Sequence, residues 1–185
     1  MIHPFRHFYT ITRHRHRVIA HCFRVGIGWQ GLFHDLSKYS PTEFWAGARY
    51  YQGTRSPNNA EREDKGYSEA WIHHKGRNPH HYEYWTDNYD SGTTVIKMPY
   101  NCVMEMIADW CAAGRTYQGH DWSFESQCEW WETKKTWPNK PSIHPETVVL
   151  IDKFFDKESG DDLDTILNEW RLNYFVFEED YDGEI

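Results

Sequence analysis

The segment YTITRHRHRVIAHCFRV, residues 9–25, decides the fold class. Ile11, Val18 and Val25 recur at seven-residue spacing, drawing one apolar stripe along an α-helix that Gly26 and Gly28 end. His14 and His21 fall on that same stripe. An imidazole facing a core needs a partner, because burying it unpaired costs free energy. Working outward, Trp29 to Tyr39 reads as a short helix. Ser40-Pro41-Thr42-Glu43 then opens another, with proline at its first position and a capping-box pattern. Tyr67 to Lys75 reads as helical, Asn78-Pro79 interrupts, and His80 to Thr86 resumes the pattern. Pro99 to Arg115 is the clearest helix, with Cys102, Met106, Asp109 and Ala113 on one face. Further helices fall around Ser123 to Lys135, Pro145 to Lys157 and Leu163 to Phe175. Gln52 to Gly66 and Asp87 to Met98 read as long loops, and only Thr94 to Met98 resembles a strand.

The expectation is an all-α bundle of about six to eight helices with long loops. It forms one domain over residues 1–177, followed by a solvated acidic tail over 178–185 carrying Glu178, Glu179, Asp180, Asp182 and Glu184. With 185 residues, 39% apolar and 26% charged, and with 10 Trp, 12 Tyr and 10 Phe, the chain is excluded from the disordered, collagenous and coiled-coil classes. Twenty Lys plus Arg against 28 Asp plus Glu give a formal charge of -8, which argues against a nucleic-acid duplex as partner. No run approaches the roughly 20 apolar residues of a membrane span. Met1 to Thr10 holds no signal-peptide core, and Cys22, Cys102, Cys111 and Cys128 form no CxxC pair. These features predict a cytoplasmic, reduced protein without a membrane partner. Its aromatic-rich helical surface is compatible with a homodimer.

Twelve histidines require a reason. In Phe33-His34-Asp35-Leu36-Ser37-Lys38, a vicinal His-Asp presents an imidazole nitrogen and a carboxylate oxygen to one divalent cation. His14 lies upstream on one apolar helix face and Asp109 downstream on another. Taken singly, either is most simply a hydrogen-bonded core group, whereas their joint occurrence with His34-Asp35 points to a metal. Between them, residues 71–85 place His73, His74, His80 and His81 within nine positions. Helical spacing turns His74 inward and leaves His73 at the surface. For His80 and His81 the competing reading is a helix start or surface position.

The ordered set His14, His34-Asp35, Asp109 resembles the HD superfamily of helical metal-dependent phosphohydrolases, whose signature is H…HD…D and whose matching positions hold one metal. Two-metal members add histidines in the order H…HD…H…HH…D, and His74 followed by His80-His81 looks like that arrangement, which implies that Asp35 bridges two metals. Only five residues separate His74 from His80 and no GYP element follows, so the substrate of the cyclic-dinucleotide branch is not carried over. HDLSKYSPTEFWAGARYY, AWIHHKGRNPHHYEYW and MPYNCVMEMIADW look like blocks of an uncharacterised HD-like family of bacteria and phages, over roughly Ile11 to Gly114.

The resemblance implies hydrolysis of a small phosphate ester or nucleotide by metal-activated water, with Asp35 and Lys38 as catalytic residues. Related enzymes use the lysine of HDxxK to bind a phosphate or hydroxyl. The cofactor is one or two divalent transition metals per chain, iron or manganese first, with nickel, cobalt or zinc also suited to these donors. Glu105 reads either as a partner of a ligating histidine or as a surface ion pair. Arg49, Arg55, Lys75 and Arg77 are loop cations able to recognise phosphate. Trp130-Trp131 reads first as core, with ring stacking as the alternative. The runner-up activity is that of the HD-fold di-iron oxygenases, which oxidise a small polar substrate with dioxygen. A third reading is a non-catalytic metal- or nucleotide-binding module.

Overall fold

The computed structural model describes residues 2–138, 142–156 and 162–183. Ten α-helical segments occur among the described residues: α1 (Pro4–Val25), α2 (Gly28–Gly31), α3 (Pro41–Arg49), α4 (Pro57–Lys65), α5 (Glu69–Lys75), α6 (Tyr100–Gln118), α7 (Phe124–Thr136), α8 (Pro145–Phe154), α9 (Leu163–Leu172) and α10 (Tyr174–Asp182). One antiparallel hairpin, β1 (Thr86–Tyr89) with β2 (Gly92–Val95), pairs Thr86 with Val95 and Tyr89 with Gly92. The protein is a helical bundle, and no described helix is long and apolar enough to cross a membrane.

The central helix is α6, buried without a break from Cys102 to Ala112. A helix apolar on all sides must be enclosed on all sides. The stripe of α1 covers one side of it, through Val18, Cys22 and Val25, while α7 to α10 contribute Trp131, Ile151, Phe154 and Leu167. His21, on the α1 stripe, donates from Nδ1 to the Ala108 carbonyl oxygen at 3.2 Å and so ties α1 to α6. Gly26 ends α1 in the left-handed conformation at φ 98°, its N–H bonded to the Cys22 carbonyl. The chain then turns back so closely that a Cβ on Gly31 would overlap Cys22 Cβ.

Several elements differ from the sequence expectation. The expected helix from Trp29 to Tyr39 is broken into α2 and a 3-10 turn (Leu36–Tyr39), because Asp35 adopts φ +54°, the one positive φ outside glycine among the described residues. The expected loop 52–66 contains α4, whose start has Pro57 and whose Ala60 and Glu61 are buried; with Ala60 its only apolar residue, the helix carries no readable stripe. Buried Glu61 anchors it to α5, accepting from Ser68 Oγ at 2.7 Å. The loop over 87–98 contains most of the hairpin, and its strand ends at Val95 instead of running to Met98. His80 to Thr86 holds a 3-10 turn (Tyr82–Trp85) with His80 and His81 ahead of it. The expected acidic tail is helical through Asp182, with Tyr181 buried and the Asp182 carboxylate accepting from the Tyr100 N–H. Glu184 and the Lys157 end of the expected eighth-helix segment lie outside the described residues.

Gly31→Ala should lower the unfolding free energy by about 1–3 kcal/mol through overpacking, read from urea midpoints at constant slope; an unchanged midpoint would refute the close approach of α2 to α1. Burial, aided by nearby Arg115 and Arg24 and opposed by the Ala108 hydrogen bond, lowers His21 to about 4. An unfolded histidine near pKa 6.5 binds the proton more readily, so this contribution is present at neutral pH and is lost as pH falls from about 6.5 toward 4, by up to roughly 3 kcal/mol. His21→Leu should therefore flatten the stability profile across that window relative to the unsubstituted protein, measured by urea titration at several pH values.

Candidate metal centre

Asp35 sits between α2 and the following 3-10 turn, 1% exposed, in a backbone conformation that leaves its carboxylate pointing back toward α1 and α6. A non-glycine residue at φ +54° is strained, and such strain persists where the surrounding contacts fix it. Its two oxygens face two groups of donors. On the Oδ2 side, His34 Nε2 lies at 3.1 Å and His14 Nε2 at 4.0 Å, while Asp109 Oδ1 is 2.9 Å from His14 Nε2 and 3.7 Å from His34 Nε2. On the Oδ1 side, His74 Nε2 lies at 3.1 Å and His80 Nε2 at 3.4 Å, and His81 Nε2 is 2.9 Å from His74 Nε2.

The two quartets, His14/His34/Asp35/Asp109 and Asp35/His74/His80/His81, are each fully buried, and within each the ligand atoms lie within 4.8 Å of one another. Asp35 belongs to both. The structure thus brings together all seven residues that the sequence nominated as metal ligands. His14 comes from α1 and Asp109 from α6, one helix pair supplying two donors; His74 lies in the last turn of α5, and His80-His81 follow the Asn78-Pro79 bend.

The atoms left over test whether a cation fits. His14 Nε2, His34 Nε2, His80 Nε2 and both Asp35 oxygens are buried and make no well-aligned hydrogen bond, their close contacts being with one another, with Asp109, with His74 and, at Asp35 Oδ2, with the Lys38 ammonium. Buried polar atoms are ordinarily paired, and five such atoms converging on one place form a donor set that a cation would satisfy. The His74–His81 contact agrees, because two Nε2 atoms at 2.9 Å need one shared proton or one shared cation between them. Nitrogen and carboxylate oxygen donors suit a divalent transition metal.

The opposite ring nitrogens are held from behind. Glu105, 5% exposed, accepts from His34 Nδ1 at 2.8 Å and faces His80 Nδ1 at 3.2 Å. Glu43 accepts from His74 Nδ1 at 2.8 Å and from His73 Nδ1 at 2.7 Å. Each contact keeps the proton on Nδ1 and presents Nε2 as a donor lone pair, the usual arrangement behind a ligating histidine. Burial works against the charge on Glu105, but the hydrogen bonds from His34 and His80 outweigh it and bring the carboxyl down to about 2. Burial likewise opposes ionised Asp35 and Asp109, and the neighbouring histidines, with Lys38 beside Asp35, hold both well below the usual carboxylate range. Glu43 is lowered in the same sense by His74 and His73. Burial lowers His14 despite Asp109, and it lowers His81 strongly with help from His80 and His74. His34 is raised well above the usual range, since Asp35, Asp109 and Glu105 overcome its burial.

Glu43 is the main residue that sequence reasoning missed. It was assigned to a capping box, yet Ser40 makes no side-chain cap bond and Glu43 turns to the histidines. Ser37 and Asn78 support the same ring: Asn78 Nδ2 donates to Ser37 Oγ at 3.0 Å and to the His74 carbonyl at 2.7 Å, and Ser37 Oγ lies 3.1 Å from His74 Nδ1. His73 is half-buried instead of a free surface residue. Glu105 is the buried histidine partner rather than a surface ion pair. Lys38 places Nζ 2.5 Å from Asp35 Oδ2 and keeps part of its side chain exposed to a cavity of about 550 Å³ that opens over the cluster. Of the loop cations, Arg55 is engaged by Glu63, Arg77 donates to the His73 carbonyl, and neither they nor Arg49 and Lys75 line the cavity; Arg62 does. Trp131 is core, whereas Trp130 lines the cavity.

A protein-family model described as "Family of unknown function (DUF5662)" matches residues 3–157, which include the whole cluster. No curated protein and no solved structure matches the chain.

Protein loaded with manganese or ferrous iron and desalted should carry about two metal ions per chain by elemental analysis, one for each quartet. Asp35→Asn, which keeps shape and tolerates a positive φ, should reduce loading below one ion per chain, and His81→Ala should leave about one. Full loading of the Asp35→Asn protein would exclude Asp35 as the shared ligand.

Proposed function

This chain belongs to the DUF5662 family of unknown function, and we propose that it is a metal-dependent phosphohydrolase acting on a small phosphate ester. The observation that carries the reading is the pair of buried quartets sharing Asp35, with Lys38 beside it at the floor of an open cavity. The ordered donors His14, His34-Asp35, His74, His80-His81 and Asp109 resemble the two-metal arrangement of the HD superfamily. A divalent ion held there supplies Lewis acidity toward phosphoryl oxygens and makes water a nucleophile at neutral pH.

The chain's own residues supply the rest. Asp35 strengthens the positive charge of Lys38 against its burial, so the ammonium stays protonated throughout the neutral range. With its side chain partly open to the cavity, it donates to a phosphoryl oxygen and offsets charge there. Glu105 and Glu43 fix the tautomers of three histidines, so the donor set is organised before substrate arrives. Four carboxylates, Asp35, Asp109, Glu105 and Glu43, face the Lys38 ammonium in this cluster, and divalent cations held by neutral imidazoles would balance their excess negative charge. The four cysteines are buried thiols, in keeping with action in a reducing cytoplasm.

The test is a panel of phosphate monoesters and nucleotides with manganese-loaded or iron-loaded full-length protein, read as phosphate release. Turnover is expected, with Asp35→Asn inactive and Lys38→Ala lowered roughly 100-fold in kcat/KM. Oxygen consumption by the ferrous protein without phosphate release would replace this reading with the HD-fold oxygenase one. Tight ester binding without turnover under any metal would make the protein a binding module.

A further inference from the structure

The cavity above the metal cluster has a second chemical zone. Helix α4 contributes Arg62, α7 contributes Lys134, and the 3-10 turn after His80-His81 contributes Tyr82 to the same wall. Lys134 Nζ stands 5.5 Å from the Tyr82 ring centre, 4.8 Å from that of Trp110 and 4.7 Å from that of Trp130. The Arg62 guanidinium stands 5.5 Å from the ring centre of Trp71, which lines the same cavity.

Commitment of charge separates these two cations from the rest of the lining. Among the carboxylates of the cavity wall, Glu43 is bonded to His73 and His74, and Asp109 is packed against His14. Lys38 is paired with Asp35. Arg62 and Lys134 are not ion-paired with any described carboxylate: Arg62 donates only to the Asn59 side-chain oxygen, and Lys134 rests on aromatic faces. Glu83, also on the wall, attracts Lys134 at a distance beyond ion-pair contact. Burial lowers the pKa of Lys134, with Glu83 and Asp109 opposing. In a chain of net charge -8, two cations that line one concavity and make no ion pair among the described residues mark a place prepared for an anion. A half-buried cation lodged against three rings gains more from an arriving anion than an exposed surface lysine does.

We propose that Arg62 and Lys134 form a second anion subsite, so that the substrate is a phosphate ester bearing a further anionic group, a carboxylate or a second phosphate, carried on a scaffold that packs against the aromatic wall. This rests on the phosphohydrolase reading only for the word ester; the subsite itself is a statement about binding. The phosphoryl group lies toward Lys38 and the metal ligands, and the second anion lies beside Tyr82 between α4 and α7.

The test measures dissociation constants by calorimetry on the metal-loaded full chain, using 4-carboxyphenyl phosphate, its neutral isostere 4-carbamoylphenyl phosphate, and 1,4-phenylene bisphosphate. The carboxylate should bind at least about 10-fold tighter than the carboxamide, and this ratio should fall to near one in the Arg62→Ala/Lys134→Met double variant with metal content unchanged. A bisphosphate tighter than the carboxylate assigns the subsite to phosphate, and the reverse order assigns it to carboxylate. Equal affinity of carboxylate and carboxamide for the unsubstituted protein overturns the subsite, whether or not the variant folds. Phosphate release is followed in parallel: with no release but the 10-fold ratio intact, the subsite stands and the hydrolase reading falls. Release from both esters without discrimination sinks the subsite alone.

Discussion

The buried carboxylate of Asp35 is the constraint on which the rest depends. It sits almost wholly out of water, its two oxygens address two sets of imidazoles, and its backbone is held in a conformation that an aspartate adopts at a cost of order 1–3 kcal/mol. None of these is stabilising alone. An isolated carboxylate in an apolar interior takes up a proton, yet the histidines and Lys38 hold this one ionised. The balance works because the same group satisfies two sites, so one unfavourable burial organises both.

That arrangement determines how the helices must pack. His14 and Asp109 approach each other only if the stripe of α1 lies along α6, and the His21 bond to the Ala108 carbonyl one heptad further on secures the same register. Placing Asp109 and Glu105 within a helix buried on every side carries a solvation penalty that a purely apolar α6 would avoid. The surrounding aromatic core compensates: Tyr100, Trp110, Trp131 and Phe154 fill the space around α6 in edge-on and stacked contacts. Trp71, set against the rings of His74 and His81, brings an aromatic wall to the polar centre itself.

Much of this was legible in the sequence, for definite reasons. Period-seven spacing exposed α1, and histidines on an apolar stripe exposed their need for partners, so His14 and His34-Asp35 could be associated with Asp109 across many residues. The dense histidine segment pointed to the second quartet. What was hidden had local signals that misled. α4 offered one apolar residue to a periodicity search, and the turn at Asp35 looked helical because a positive φ at aspartate leaves no compositional mark. Glu43 occupied the position a capping box assigns to a glutamate, and only the tertiary approach of α5 to α3 shows that two histidines claim it instead. Local rules fail where a side chain is recruited to a site.

The division of labour between Glu43 and Glu105 follows from the same economy. Both lie outside the two quartets, yet each binds two histidines and so couples groups that belong to different parts of the chain: Glu105 joins His34 to His80 across the two quartets, and Glu43 joins His74 to His73 along α5. Coupling through Glu105 means that displacing one ring disturbs both quartets, whereas a disturbance at Glu43 reaches the second quartet first, through His74. The seven donors are therefore a single connected cluster whose two halves are joined twice, directly by the close contacts of Asp35 and from behind by Glu105. An arrangement joined at two points resists the independent drift of either half, and it keeps the distance between the halves fixed by the rigid helix α6, which carries both Asp109 and Glu105.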